Sequence, residues 1–123
     1  MNPRIEAGDD VSAIVAKFGA ELRDPAEPFT LLCRFKVNDG TDEKVKTAFA
    51  AARAATLKEE GAMAFDLNQG TRDPTQFTVY ERWRSLADLE SHLRTSYIIA
   101  LRGQFNALIV GAPEFQVLRP AAE

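Results

Sequence analysis

The stretch FTVYERWRSLADLESHL, residues 77–93, decides how the chain folds. Its first half alternates. Phe77, Val79, Glu81 and Trp83 fall on one side of a strand, and Thr78, Tyr80, Arg82 and Arg84 on the other. Its second half changes period. Ser85, followed three residues later by Asp88, reads as a helix-starting capping box. Leu86, Leu89 and Leu93 then recur at helical spacing, and His92 lies one turn beyond Asp88 and Leu89. The stretch holds the only Trp and the only His of the chain. A strand ending in Trp83 that turns straight into a short helix can bring an indole and an imidazole to one side of a sheet.

Working outward, residues 62–69 predict the strand before it, with Met63, Phe65 and Leu67 on one face. Gly70 to Pro74 reads as the hairpin connection. Residues 29–37 predict the first strand, whose face of Phe29, Leu31, Cys33, Phe35 and Val37 is wholly apolar. After the turn Asn38-Asp39-Gly40, Thr41 is placed to cap a helix running to about Glu60. Its buried stripe is Val45, Ala48, Phe49, Ala52 and Ala55, and Gly61 ends it. A further helix is predicted from Ser96 to about Ile109, broken by Gly111 and Pro113. Phe115 and Val117 mark a last strand.

The order is βαββαβ, with the second α split in two. That is an α+β, ferredoxin-like arrangement: an antiparallel sheet with helices on one face. The helices must cover the odd-numbered face. The even-numbered face carries Leu32, Arg34, Lys36, Asp66, Tyr80, Arg82 and Leu118. It is too apolar for open solvent and too polar for a core, which suits a second sheet packed against it in a homodimer. The expected organisation is an N-terminal helical arm, 1–27, and one domain, 28–120. In the arm Val11, Ile14, Val15, Phe18 and Leu22 make an apolar helical stripe over about 10–22. That helix packs either on its own domain or on a partner subunit.

Composition excludes several classes of function. The 123 residues suit one domain, with 46% hydrophobic and 27% charged residues. A net charge of -3 with interspersed signs gives no basic face for nucleic acid. No apolar run approaches the roughly 20 residues of a membrane span, and the N-terminus lacks the apolar run of a signal peptide. The single Cys33 cannot form an internal disulfide, so a cytoplasmic location is expected. One His and one Cys give no credible zinc site, and no Gly-rich phosphate loop occurs.

Three separated segments, LKEEG at 57–61, YERW at 80–83 and LESHL at 89–93 with Thr95 after it, resemble the antibiotic biosynthesis monooxygenase domain family. The likeness runs from about Phe29 to Pro120. It implies a dimeric α+β barrel with a pocket between sheet and helices in each subunit. The family spans cofactor-free quinol and polyketide monooxygenases, haem-degrading enzymes and an isomerase of a phosphorylated autoinducer. Fold alone does not choose among them. Where many members carry a second His, this chain has Tyr97. At the positions of the haem-degrading branch's axial His and strand-one Asn it has Leu101 and Cys33, neither of which can do that work.

The reading that follows is a cofactor-independent monooxygenase of a quinol or polycyclic phenol, with no cofactor and no metal. His92 can take and return a proton at neutral pH, and Tyr97 can hold a substrate oxygen. These two are the candidate catalytic residues; Trp83, Phe35, Phe65, Cys33 and Glu81 are the candidate substrate contacts. Each has a plainer reading. Trp83 and Cys33 read first as core packing, Tyr97 reads equally as packing, and His92 reads as a satisfied structural histidine. Glu81, a carboxylate on an apolar face, must be paired or have its pKa raised. Glu59 and Glu60 are read as salt-bridging residues at a helix end. The alternatives in function are a non-catalytic small-ligand-binding dimer and an isomerase of a phosphorylated autoinducer-like sugar.

Overall fold

The computed structural model describes residues 2–122. Four strands, β1 (Phe29–Val37), β2 (Ala62–Gln69), β3 (Gln76–Trp83) and β4 (Ile109–Leu118), form one sheet in the order β2-β3-β1-β4. Every neighbouring pair is antiparallel. Four helices join them: α1 (Val11–Gly19), α2 (Asp42–Thr56), α3 (Leu86–Leu93) and α4 (Ser96–Leu108). This is the α+β, ferredoxin-like fold that the residue pattern implies. The odd face of β1 and β3 supplies the core: Phe29, Leu31, Phe35, Val37, Phe77, Val79 and Trp83 are buried against Val45 and Phe49 of α2, Leu89 of α3 and Ile98 of α4.

Local chemistry accounts for most element ends. Asp10 caps α1 by accepting the Ala13 N–H, and Ile14 and Phe18 are its buried side. Ser85 caps α3 by accepting the Asp88 N–H, and donates its hydroxyl to the Asp88 carboxylate at 2.8 Å. Arg84 grips the same carboxylate at 2.9 and 3.0 Å. Gly61 packs against it so tightly that a Cβ there would fall 2.1 Å from the Asp88 Cγ. Thr95 opens α4 by accepting the Ile98 N–H.

Four boundaries and faces differ from the sequence reading. Thr41 makes no side-chain cap; its hydroxyl donates instead to the Asn38 carbonyl, closing the preceding turn. Helix α2 ends at Thr56 rather than near Glu60, and a turn bonded from the Glu59 N–H to the Thr56 carbonyl follows. Thr56 is fully buried, and its hydroxyl is the one fully buried side-chain polar atom without a partner among the described residues. Met63 is not on the core face. The β2–β3 register shifts between Ala62 and Ala64, and Met63 is turned out to solvent. Finally, Gly111 and Pro113 do not separate helix from strand. Strand β4 starts at Ile109, directly after α4, and residues 111–113 bulge opposite Phe35, with Gly111 at φ +74°.

Candidate active site

Between the odd sheet face and the helices lies a cavity of about 410 Å³. Its inner wall is aromatic and aliphatic: Leu31, Phe35, Phe49, Phe65, Val79, Leu89, Leu101 and Phe105 all line it. Two rows of ring contacts stiffen that wall. Phe49 stacks on Phe65 at 4.8 Å, and Phe105 and Phe77 flank Phe35 at 5.3 and 5.7 Å. The cavity mouth lies among exposed residues, Glu6, Ala7, Asn106, Gly111 and Ala112, with the half-buried Arg102 beside them.

Two titratable side chains line the deep part, His92 at 2% exposure and Glu81 at 8%. Strand alternation sends Glu81 inward with Val79 and Trp83. Its one side-chain hydrogen bond among the described residues comes from the Trp83 indole N–H, at 3.0 Å to Oε1. Burial pushes the Glu81 carboxyl up to about 7; the indole bond opposes this and the nearby Glu59 charge adds to it. His92 is placed by α3, which folds back immediately after Trp83. The imidazole lies 4.5 Å from the indole, ring centre to ring centre, and makes a T-shaped contact with Phe65 at 5.1 Å.

Behind His92 stands Glu59, in the turn after α2. Its Oε2 lies 3.1 Å from His92 Nδ1 and also accepts the Tyr97 hydroxyl. An ionised carboxylate only accepts, so Nδ1 carries the proton and Nε2 is left with its lone pair. Nε2 makes no hydrogen bond among the described residues, and it is not one of their fully enclosed orphan atoms. Burial lowers the His92 pKa below its ordinary value, and the Glu59 bond only partly offsets this, so the ring is neutral at pH 7. Burial, then the bond to Glu59, pushes Tyr97 up to about 12.

Of the residues singled out in the sequence, the cavity therefore brings together Phe35, Phe65, Cys33, Glu81 and His92. Trp83 is not a wall of it: it is wholly buried and backs His92 and Glu81. Tyr97 does not face the cavity either; it bonds to Glu59 behind the histidine. Burial drives the Cys33 thiol far up, so it stays an uncharged wall atom. Glu59, read in the sequence as a salt-bridging residue, makes its bridge to His92, and it is this place in the site that sequence reasoning missed. The available signal was its place in the LKEEG segment, but nothing local ties it to a His 33 positions away. Among the described residues no group of three or more His, Cys, Asp or Glu side chains could hold a metal ion. Nor is any helix among them long and apolar enough to cross a membrane.

The fold and the site define an α+β domain with an apolar pocket that opens at one mouth and holds a buried histidine in its lining. The sequence profile of the antibiotic biosynthesis monooxygenase family matches residues 28–104, and the chain belongs to that family. Solved structures agree on the fold. A Nitrosomonas europaea protein described as a candidate antibiotic biosynthesis monooxygenase is similar at 21% identity and TM-score 0.74, over 81% of this chain and 96% of its own. A Caulobacter crescentus protein described likewise is 19% identical with TM-score 0.73, over 80% and 93%. A Pseudomonas aeruginosa protein is 26% identical with TM-score 0.72, over 80% and 99%. No curated protein is significantly similar to the chain.

Proposed function

We propose that the chain is a cofactor-independent monooxygenase that oxidises a quinol or small polycyclic phenol with O2. One observation carries the reading: a neutral, Glu59-anchored His92 beside an apolar cavity, its Nε2 unbonded among the described residues. In this mechanism Nε2 takes a phenolic proton. The electron-rich phenolate passes one electron to O2, and the two radicals join at a ring carbon to give a C–O–O⁻ peroxide. The proton held on His92 returns to the distal oxygen. Loss of the ring C–H proton then breaks the O–O bond, leaving a new ring carbonyl and one water. For a simple quinol, one quinol and one O2 thus give one hydroxyquinone and one water. One oxygen atom stays on the ring, the other is reduced to water, and the substrate supplies all the electrons.

Glu59 holds the imidazole in the productive tautomer, and Tyr97 buttresses Glu59 rather than touching substrate. Glu81, with its pKa near 7, can hydrogen-bond a second substrate oxygen in either protonation state. Phe35, Phe65 and Cys33 bound the ring. A phosphorylated sugar is poorly served here, since Arg102 is the one cationic residue in the lining among the described residues, and Glu81 faces inward. The aromatic wall equally suits ligand binding without turnover, which is the second reading. Residues 28–120 are the working unit and 1–27 an arm; the unit acts as a cytoplasmic homodimer through the outer sheet face.

Oxygen uptake with a small quinol panel, on metal-stripped wild type and His92→Ala, tests this. A positioned base is worth about 10²–10⁴ in rate, so His92→Ala should lose about that factor. Equal rates would remove His92 from the chemistry. No uptake by wild type would leave the ligand-binding reading in place.

A further inference from the structure

Part of the cavity lining precedes the stretch that the chain shares with its family, just as residues 105–115 of the lining follow it. Ile5, Ile14 and Phe18 line the cavity, at 7%, 3% and 1% exposure, and all three precede residue 28, where the family match begins. The segment carrying Ile5 is strapped down rather than trailing. Lys17 Nζ donates to the Arg4 carbonyl and to the Asp9 carboxylate, both at 2.7 Å. The same carboxylate accepts the Glu6 N–H at 2.8 Å. From the domain side, Arg102 donates to the Asp9 carbonyl at 3.4 Å and Arg94 to the Ser12 hydroxyl at 3.3 Å. Helix α1 packs on α3, the helix that carries His92.

The cavity is thus lined from different parts of the chain. The shared domain supplies His92 and Glu81. The arm supplies Ile5 and Ile14, whose branched side chains have few rotamers and cannot swing aside as Met or Lys would. These two side chains bound part of the space that a ring system in the cavity can fill.

We propose that the N-terminal arm is the specificity element of this pocket, with Ile5 and Ile14 setting the largest fused-ring phenol that can bind. The inference rests on the cavity being the substrate site proposed above, but not on turnover. It is therefore tested by binding, in full-length protein without reaction. Phenol, 1-naphthol and 9-phenanthrol give one, two and three fused rings, and the fluorescence of Trp83, which contacts His92, reports occupancy.

Ile5→Ala and Ile14→Ala should tighten 9-phenanthrol relative to phenol by about tenfold or more, the scale of discrimination a few methylenes give in an apolar pocket. Ile14→Phe should shift the ratio the other way by a similar factor. Opposite shifts are what a merely structural arm would not produce, since damage to packing weakens all ligands alike. If Ile14→Phe does not fold, Ile5→Phe, nearer the mouth, gives the same reading. An unchanged ratio, equal weakening of all three phenols, or no binding of any of them by wild type would overturn the proposal. A shifted ratio in a protein that never consumes O2 would sink the oxygenase reading and leave the arm as proposed.

Discussion

At the scale of single residues, the site depends on which proton sits where. Glu59 fixes the Nδ1 proton of His92 and raises its basicity against the opposing effect of burial. Glu59→Ala should therefore lower kcat and move the acid limb of the kcat/KM profile to lower pH, because the support for the charged imidazole is gone. Glu81 gives a second, separable signature. Its folded pKa of about 7 stands above the ordinary 4.5, so its contribution to stability is fully present below pH 4.5. It is lost as pH rises to 7, by about 3 kcal/mol in all. Chemical denaturation across that window should show the decline, and Glu81→Gln should flatten it. His92 and Glu81 were legible in the sequence because each is a polar residue at an apolar position of a strong period. Glu59 was not, because it lies in a turn, and turns carry no period. Trp83 had its face legible and its place hidden. The chain reverses directly after it, so α3 lies over the indole and keeps it from the cavity.

At the scale of elements, strand alternation and helix caps carried the reading, and bulges defeated it. Strands β1 and β3 read correctly because both faces follow one parity throughout. In β2 the register shift between Ala62 and Ala64 breaks that parity and exposes Met63, a choice made by pairing with β3 rather than by composition. In β4, Gly111 and Pro113 looked like terminators, yet pairing to β1 resumes on both sides of them. The joint between β3 and α3 offers the sharpest test. Gly61 leaves no room for a Cβ beside Asp88, which the Ser85 cap and Arg84 hold in place. Gly61→Ala should push Asp88 away, loosen the start of α3 and cost about 1–3 kcal/mol, seen as a lower Tm. Because α3 carries His92, activity should fall further than a surface change of equal cost would bring.

At the scale of the whole molecule, the sheet is covered on one face only. Its other face presents Tyr80, Val110 and Leu118 with 37–49% exposure, beside half-buried Leu32. Charged Arg34, Lys36 and Glu114 frame them. A soluble chain rarely leaves an apolar patch of this kind on an open sheet. Sedimentation velocity should therefore give a dimer at micromolar concentration, with about 1,000 Å² or more buried in all. Tyr80→Glu should shift it to monomer with the fold retained. A wild-type monomer would mean that the exposed face is simply tolerated.

The Thr56 hydroxyl is enclosed with nothing to bond among the described residues, so the protein gives up free energy at a position where Val has nearly the same shape. Removing a stranded buried polar group recovers about 1–3 kcal/mol. Thr56→Val should therefore raise Tm without touching the cavity, whose lining does not include residue 56. Its use is as a background. Variants in and around the site, such as Glu59→Ala or Gly61→Ala, can be built on it, so that a loss of turnover is read from molecules that are still folded.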